Sequence, residues 1–208
     1  MKDIVSVTRK TSESTMKVTL DARGLAADYR KGIKTHAPFF SHMIEHIAWR
    51  SGVTISTELS LADFTLNHVI YEDLGITFGK AARSFVWDNK ADGVTGYGDG
   101  IGIIDEAEAR CAISFEERAY CDVCDSAITM PAETENVLSE DLVTFLEGFC
   151  QGAMCTLHVD VLKGKNGHHI WEAVFRAFGI ALGRAFYADP ARKGLSAGVA
   201  GAVTFTVE

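Results

Sequence analysis

No stretch of this 208-residue sequence approaches the length needed to cross a bilayer, and Met1–Lys10 holds no apolar run followed by a small-residue cleavage site. A cytoplasmic protein is the expectation. A disulfide framework is missing as well: five cysteines, an odd number, are scattered through the chain, which fits reduced thiols in a reducing compartment. Cys121 and Cys124 make a lone C-x-x-C without a second ligand pair at zinc-like spacing, and read as structural thiols. Clustered positive charge is also lacking. The net charge of −8 argues against a phosphate-backbone partner, although a few convergent cations suffice to hold a small anionic substrate. What the chain does have is apolar content, 47%, enough to bury a core in one compact chain or two fused half-units.

Val5 to Leu20 alternates polar and apolar residues and predicts two strands joined around Thr11 to Thr15. Helical spacing follows over Phe39 to Trp49, strand alternation over Val53 to Leu61, and an amphipathic helix over Tyr71 to Val86. The glycine-rich GVTGYGDGIG, residues 93–102, reads as a connector. A second passage repeats the order: a strand over Cys111 to Cys121, a helix over Ser139 to Ala153, a strand over Thr156 to Leu162, a helix over Ile170 to Tyr187, and a glycine-rich tail from Gly194. Laid over one another, His68–Trp87 and His168–Tyr187 share His, Ile, Glu, Phe, Gly and Ala at matching offsets, and an aromatic precedes each glutamate. Similarity between two amphipathic helices explains the Phe and Ala matches but not a shared His and Glu, so an internal duplication with a period of 100 residues is expected. The predicted architecture is α+β, with helices on one face of each sheet, residues 1–92 forming the first half-unit and 93–208 the second.

Residues 164–172, G-K-N-G-H-H-I-W-E, carry the densest chemistry. On a helix, His168 and His169 lie four and three residues before Glu172, which puts imidazole and carboxylate on one face; His68 and Glu72 repeat the spacing. A single H-x-x-x-E is more often a surface hydrogen bond. Two copies with an added histidine favour a transition-metal site, and imidazole with carboxylate suits Mn, Fe, Zn or Co. His42 in FFSHM and His158 in the strand CTLHVDV are further candidates, a core histidine being an even alternative for His158. His36 and His46 read as structural or surface residues.

Taken together, RKTSEST, FFSHM, NHVIYEDLGI, IDEA, TLHV, GKNGHHIWEAVFRA and PARKG resemble the motifs of the imidazoleglycerol-phosphate dehydratase family over nearly the whole chain. The resemblance implies a duplicated fold like ribosomal protein S5 domain 2 and a divalent metal cofactor, usually manganese. It also implies a large homo-oligomer, a 24-subunit octahedral shell whose metal sites are shared between subunits. Carried over by position, the metal ligands are His42, His68, Glu72, His158, His168, His169 and Glu172. The phosphate of the small-molecule substrate falls to Arg118, Arg176 and Lys193, with Arg192 available beside them, and the catalytic base to Glu13. The implied reaction removes water from imidazole glycerol phosphate to give imidazole acetol phosphate, in histidine biosynthesis.

The sequence departs from the family pattern at several of these places. Val69 stands where a second histidine is usual, Ser41 where an aspartate orients the neighbouring histidine, Gly96 where an arginine meets phosphate, and Ala191–Arg192 where Ser-Thr is usual. Two alternatives to the dehydratase stay open: a metal-dependent lyase or isomerase acting on another phosphorylated or azole substrate, and a non-catalytic metal-binding assembly protein.

Overall fold

The computed structural model describes residues 1–62 and 66–207. Strands β1 (Ile4–Lys10) and β2 (Ser14–Asp21) form a hairpin, helix α1 (Pro38–Ser51) leads to β3 (Thr54–Leu61), and α2 (Asn67–Asp88) closes the first half. In the second half β4 (Tyr97–Ile104), β5 (Ala107–Ser114) and β6 (Tyr120–Cys124) precede a ribbon of β7 (Glu133–Thr134) and β8 (Val137–Leu138); α3 (Ser139–Ala153), β9 (Thr156–Lys163) and α4 (Gly167–Ala185) follow. The order strand, strand, helix, strand, helix thus occurs twice. The copies also share details: α1 and α3 both end in a left-handed residue, Gly52 and Met154, two residues before the next strand. His68 and His168 are each the second residue of their helix.

The first sheet has the order β1-β2-β3, all antiparallel; the second has the order β4-β5-β9-β6, in which β6 runs parallel to β9. Helix α2 packs on β1 and β2, helix α4 on β4 and β5, and the pairs α2/α3 and α1/α4 pack between the two sheets. Apolar faces of sheets and helices therefore meet in one core, in which Trp171, Phe40, Phe78, Phe145, Phe149 and Phe175 are fully buried. Burial of each such ring contributes about 1.5–3 kcal/mol. Among the described residues no helix is long and apolar enough to cross a membrane.

Two expected elements need correction. The glycine-rich stretch is not a connector, because Tyr97–Ile104 is a full strand. Gly98, Gly100 and Gly102 fall on its helix-facing side, and a Cβ at these positions would sit 2.0–2.5 Å from the carbonyl oxygens of Ala181, Ala177 and Ala173. Alternate glycines here remove the side chains that would hold α4 off the sheet, so a residue type that normally argues against a strand permits a very close helix–sheet contact. The strand expected over Cys111 to Cys121 is two strands, since the chain leaves the sheet after Ser114 and re-enters at Tyr120 on the far side of β9. All five cysteines are free thiols. Cys121 and Cys124, three apart on β6, point to opposite faces, which excludes their chelating one ion together.

Candidate functional site

Helices α1 and α4 run side by side in the same direction: the Phe39 ring packs tilted against His168, Gly179 lies against the backbone of His46, and Gly183 against Ser51. A Cβ on Gly179 would lie 3.0 Å from the carbonyl oxygen of His46, so the glycine sets how closely the two helices approach. The N-terminus of α4 is fixed separately. Asn166 caps it by accepting from the His168 N–H at 2.9 Å, while Glu106 accepts from the N–H groups of Lys165 and Asn166.

This packing gathers His42, His168 and Glu172, whose donor atoms all lie within 4.8 Å of one another. Glu172 is almost fully buried, and such a carboxylate needs partners. Its Oε2 faces His168 Nε2 at 3.3 Å; its Oε1 faces His46 Nε2 at 3.0 Å and is in close contact with the Arg176 guanidinium. Arg176 is held in turn by donating to the Ile103 carbonyl at 2.7 Å. His42 Nε2 and His46 Nε2 are 3.3 Å apart. Burial, reinforced by His42 and by the Arg176 and Arg50 cations, pushes His46 down to about 3, so its contact with Glu172 is a hydrogen bond of a neutral ring rather than an ion pair.

Three histidines share a second feature. Nδ1 of His42 lies 3.2 Å from Glu45, Nδ1 of His168 lies 2.5 Å from Glu135, and Nδ1 of His169 lies 2.8 Å from Glu106. An ionised carboxylate only accepts, so in each pair Nδ1 is the donor, the arrangement that leaves Nε2 to a metal when the ring is neutral. Hydrogen bonds from the Asn166 N–H and from His169 hold Glu106 down at about 2, and Glu106 raises His169. The donor set and its carboxylate partners therefore fit a divalent transition metal.

The other expected residues lie apart from this cluster. On the first turns of α2, His68 is exposed and Glu72 half-buried, 3.9 Å from each other. His158 projects from the outer face of the second sheet, 3.5 Å from Asp122. Glu13 is exposed in the β1–β2 turn, at the same end as Glu72, because its neighbour Ser14 donates to Asp73. Arg118 is exposed between β5 and β6, and Lys193 is exposed after the Pro190–Arg192 turn. Arg192 lies over the Tyr97 ring at 5.2 Å and donates to the Ser196 carbonyl. Gly96 adopts φ of 72°, a backbone in which an arginine would be strained. Ser41 bonds Thr35 rather than a histidine.

His46, Glu45, Glu106 and Glu135 were not singled out from the sequence. For His46 a signal existed, since His42-x-x-x-His46 puts two imidazoles on one helix face. Glu45 lies one turn after His42, at i+3. Glu135 reaches His168 across 33 residues, and no local pattern announces it.

The sequence matches the family profile described as imidazoleglycerol-phosphate dehydratase over residues 35–182. Imidazoleglycerol-phosphate dehydratase of Ralstonia nicotianae is 34% identical over 200 residues, covering 95% of this chain and 97% of that one. The enzyme of the same name from Hahella chejuensis is 35% identical over 205 residues, covering 95% and 96%. Among solved structures, the dehydratase of Staphylococcus aureus superposes with a TM-score of 0.75 at 25% identity, over 89% of this chain and 99% of that one. That of Pyrococcus furiosus gives 0.76 at 26% identity, over 94% and 99%. With the duplicated fold and the histidine–glutamate cluster, these matches establish that the chain belongs to the imidazoleglycerol-phosphate dehydratase family.

Proposed function

We propose that this chain is a metal-dependent hydro-lyase that dehydrates imidazole glycerol phosphate to imidazole acetol phosphate in the cytoplasm, as a step of histidine biosynthesis. The observation that carries this reading is the convergence of His42, His168 and Glu172, with a carboxylate on Nδ1 of each of the two imidazoles. Divalent manganese is the metal we assign, and when bound it supplies a Lewis acid for the imidazole of the substrate.

The chain's own residues do the rest. Arg118, Arg176, Arg192 and Lys193 hold the phosphate, which fixes the reacting carbons. Glu13 takes the carbon-bound proton, the hydroxyl on the adjacent carbon leaves and is released as water with one proton, restoring the overall balance of H⁺ and OH⁻, and the resulting enol tautomerises to the ketone. His68, Glu72, His158 and His169 form the remainder of the metal-binding set. Their positions on separate faces favour completion between subunits of a large closed homo-oligomer, a 24-subunit octahedral shell. Each subunit is built from half-units 1–92 and 93–208.

Rescue of a histidine auxotroph lacking its own dehydratase, together with loss of product after chelation and its return on adding Mn²⁺, is the expected outcome. A manganese-loaded protein that leaves imidazole glycerol phosphate untouched would move the function to the second reading, a lyase on a related azole or phosphate substrate. Gly96, whose backbone suits no arginine, is the feature that favours that reading.

A further inference from the structure

We propose that Asp73 is a positioning residue for the dehydration: its buried carboxylate grips both sides of the β1–β2 turn that carries Glu13 and fixes that turn to α2. The inference rests on the assignment of Glu13 as the base, made above, and adds the device that aims it.

Glu13 is exposed, so its aim depends on the backbone beneath it. Thr11 shapes that backbone. Its hydroxyl oxygen accepts from the N–H groups of Glu13 at 3.1 Å and Ser14 at 3.0 Å, and its own N–H donates to the Ser14 carbonyl at 2.8 Å. The Ala62 N–H donates to the Glu13 carbonyl at 2.9 Å, which ties the turn to the end of β3. None of these bonds reaches α2.

Asp73 supplies that link. It lies in the second turn of α2, one residue after Glu72, and its side chain is only 6% exposed. Oδ1 pairs with Arg9 Nη1 at 2.6 Å, and Oδ2 accepts from Ser14 Oγ. Arg9 stands on β1 before the turn and Ser14 opens β2 after Glu13, so one carboxylate holds both strands of the hairpin where the turn begins. The Thr77 hydroxyl donates to the Asp73 carbonyl at 2.6 Å and steadies the helix at this point.

For stability alone this charge is a poor choice, because a buried ion pair is often replaced by apolar side chains at no cost. What it adds is direction. Two oxygens meeting partners on two strands stop the turn from sliding or rotating against α2 unless one contact breaks, so Glu13 and Glu72 keep a fixed relation through a single intervening carboxylate. A general base has to lie within hydrogen-bond reach of its proton, and a displacement of about 1 Å costs about 100-fold in rate.

The test uses the full-length, manganese-loaded protein and imidazole glycerol phosphate. Ser14→Ala is expected to lower kcat about 10–100-fold, with KM within about threefold of wild type and manganese content unchanged. Ser14→Thr, which keeps the hydroxyl, restores most of the lost turnover. Arg9→Gln loosens the other side and is expected to show the same split, so the outcome does not depend on Ser14→Ala folding. Wild-type kcat in Ser14→Ala and Arg9→Gln, with Glu13→Gln inactive, would overturn the proposal and leave Glu13 as the base. A loss of kcat in step with lost manganese would overturn it as well, because Asp73 would then serve its neighbour Glu72 rather than Glu13. Wild-type kcat in Glu13→Gln would remove the base assignment itself.

Discussion

Glu135 Oε1 lies 2.5 Å from His168 Nδ1, and Glu135 holds that position from a backbone φ of 50°. With Asn136 at φ 63°, it forms the two-residue turn of the β7–β8 ribbon, a left-handed pair in which glutamate is an unfavourable choice. Strain of this kind costs about 1–3 kcal/mol and persists where the side chain is used. Glu135→Gly separates the two effects. The metal-free variant is expected to match or exceed wild-type stability in urea unfolding, while metal affinity drops about 10–100-fold because His168 loses the partner that fixes its tautomer. Unchanged affinity would show that Glu135 does not orient His168.

The glycine face of β4 gives a second expectation. A methyl group on Gly100 would meet the Ala177 carbonyl oxygen at 2.5 Å and the Ile180 side chain at 2.8 Å, so Gly100→Ala has to push α4 off the sheet. A cost of about 1–3 kcal/mol in urea unfolding is expected, the range for overpacking a close contact. Ile101→Thr, on the exposed face of the same strand, is the control and should stay within about 0.5 kcal/mol. Equal effects for the two variants would refute the close-contact explanation of the strand.

That strand also shows where local pattern stops being informative. The helices and strands with one apolar face were legible, and the Ser139–Ala153 helix coincides with the expected span because its stripe is uninterrupted. Gly98, Gly100 and Gly102 carry the same period of two, but the signal is an absence of side chain, which only the distance to α4 interprets. The site divides in the same way. His168 and Glu172 share one helix and were legible as a pair, and His42 came from a motif. Their meeting depends on the α1/α4 contact, which brings together residues 126 to 130 positions apart, and no periodicity encodes it. His46 reads from the sequence as structural or surface, and its contacts with His42 and Glu172 depend on the same α1/α4 packing.

Asp141, in the first turn of α3, is buried, and its Oδ2 has no hydrogen-bond partner among the described residues. Burial raises its carboxyl above the ordinary value, Glu140 adds to the shift and His68 opposes it. A carboxyl with a raised pKa in the folded state binds its proton more tightly there than in the unfolded chain. Stability is therefore lost as the pH rises from the ordinary value through the raised one, and at neutral pH the ionised group is a net cost. Asp141→Asn is expected to raise Tm by about 2–4 °C at pH 7, the shift that ~1 kcal/mol gives in a domain of this size, with the gain shrinking as the pH falls toward 4. A lower Tm for the variant at pH 7 would mean that attraction to the helix N-terminus outweighs the burial.

The last expectation concerns how many ions each chain keeps. His42, His168 and Glu172 meet within one chain, so an ion there starts from three protein donors. On the proposed assignment, His68 with Glu72, His158 and His169 lie apart from one another in one chain, so a second ion would need subunits to pack against one another. That second set is also short of a donor, because Val69 follows His68 where His169 follows His168, and a valine has no lone pair to offer. A site missing one ligand binds through water at the vacant position and holds its ion less tightly. After exhaustive dialysis of the assembled protein, elemental analysis is expected to find one firmly held equivalent per chain and a second that is sub-stoichiometric. Dilution that dissociates the subunits should release the weak equivalent first. Val69→His adds an imidazole on the α2 turn beside Glu72, and is expected to bring retention close to two equivalents and to raise turnover of imidazole glycerol phosphate if the second ion limits it. Two equally tight equivalents in the unmodified chain would refute the inequality. An unchanged count in Val69→His would mean that packing between subunits, and not the missing imidazole, limits the second site.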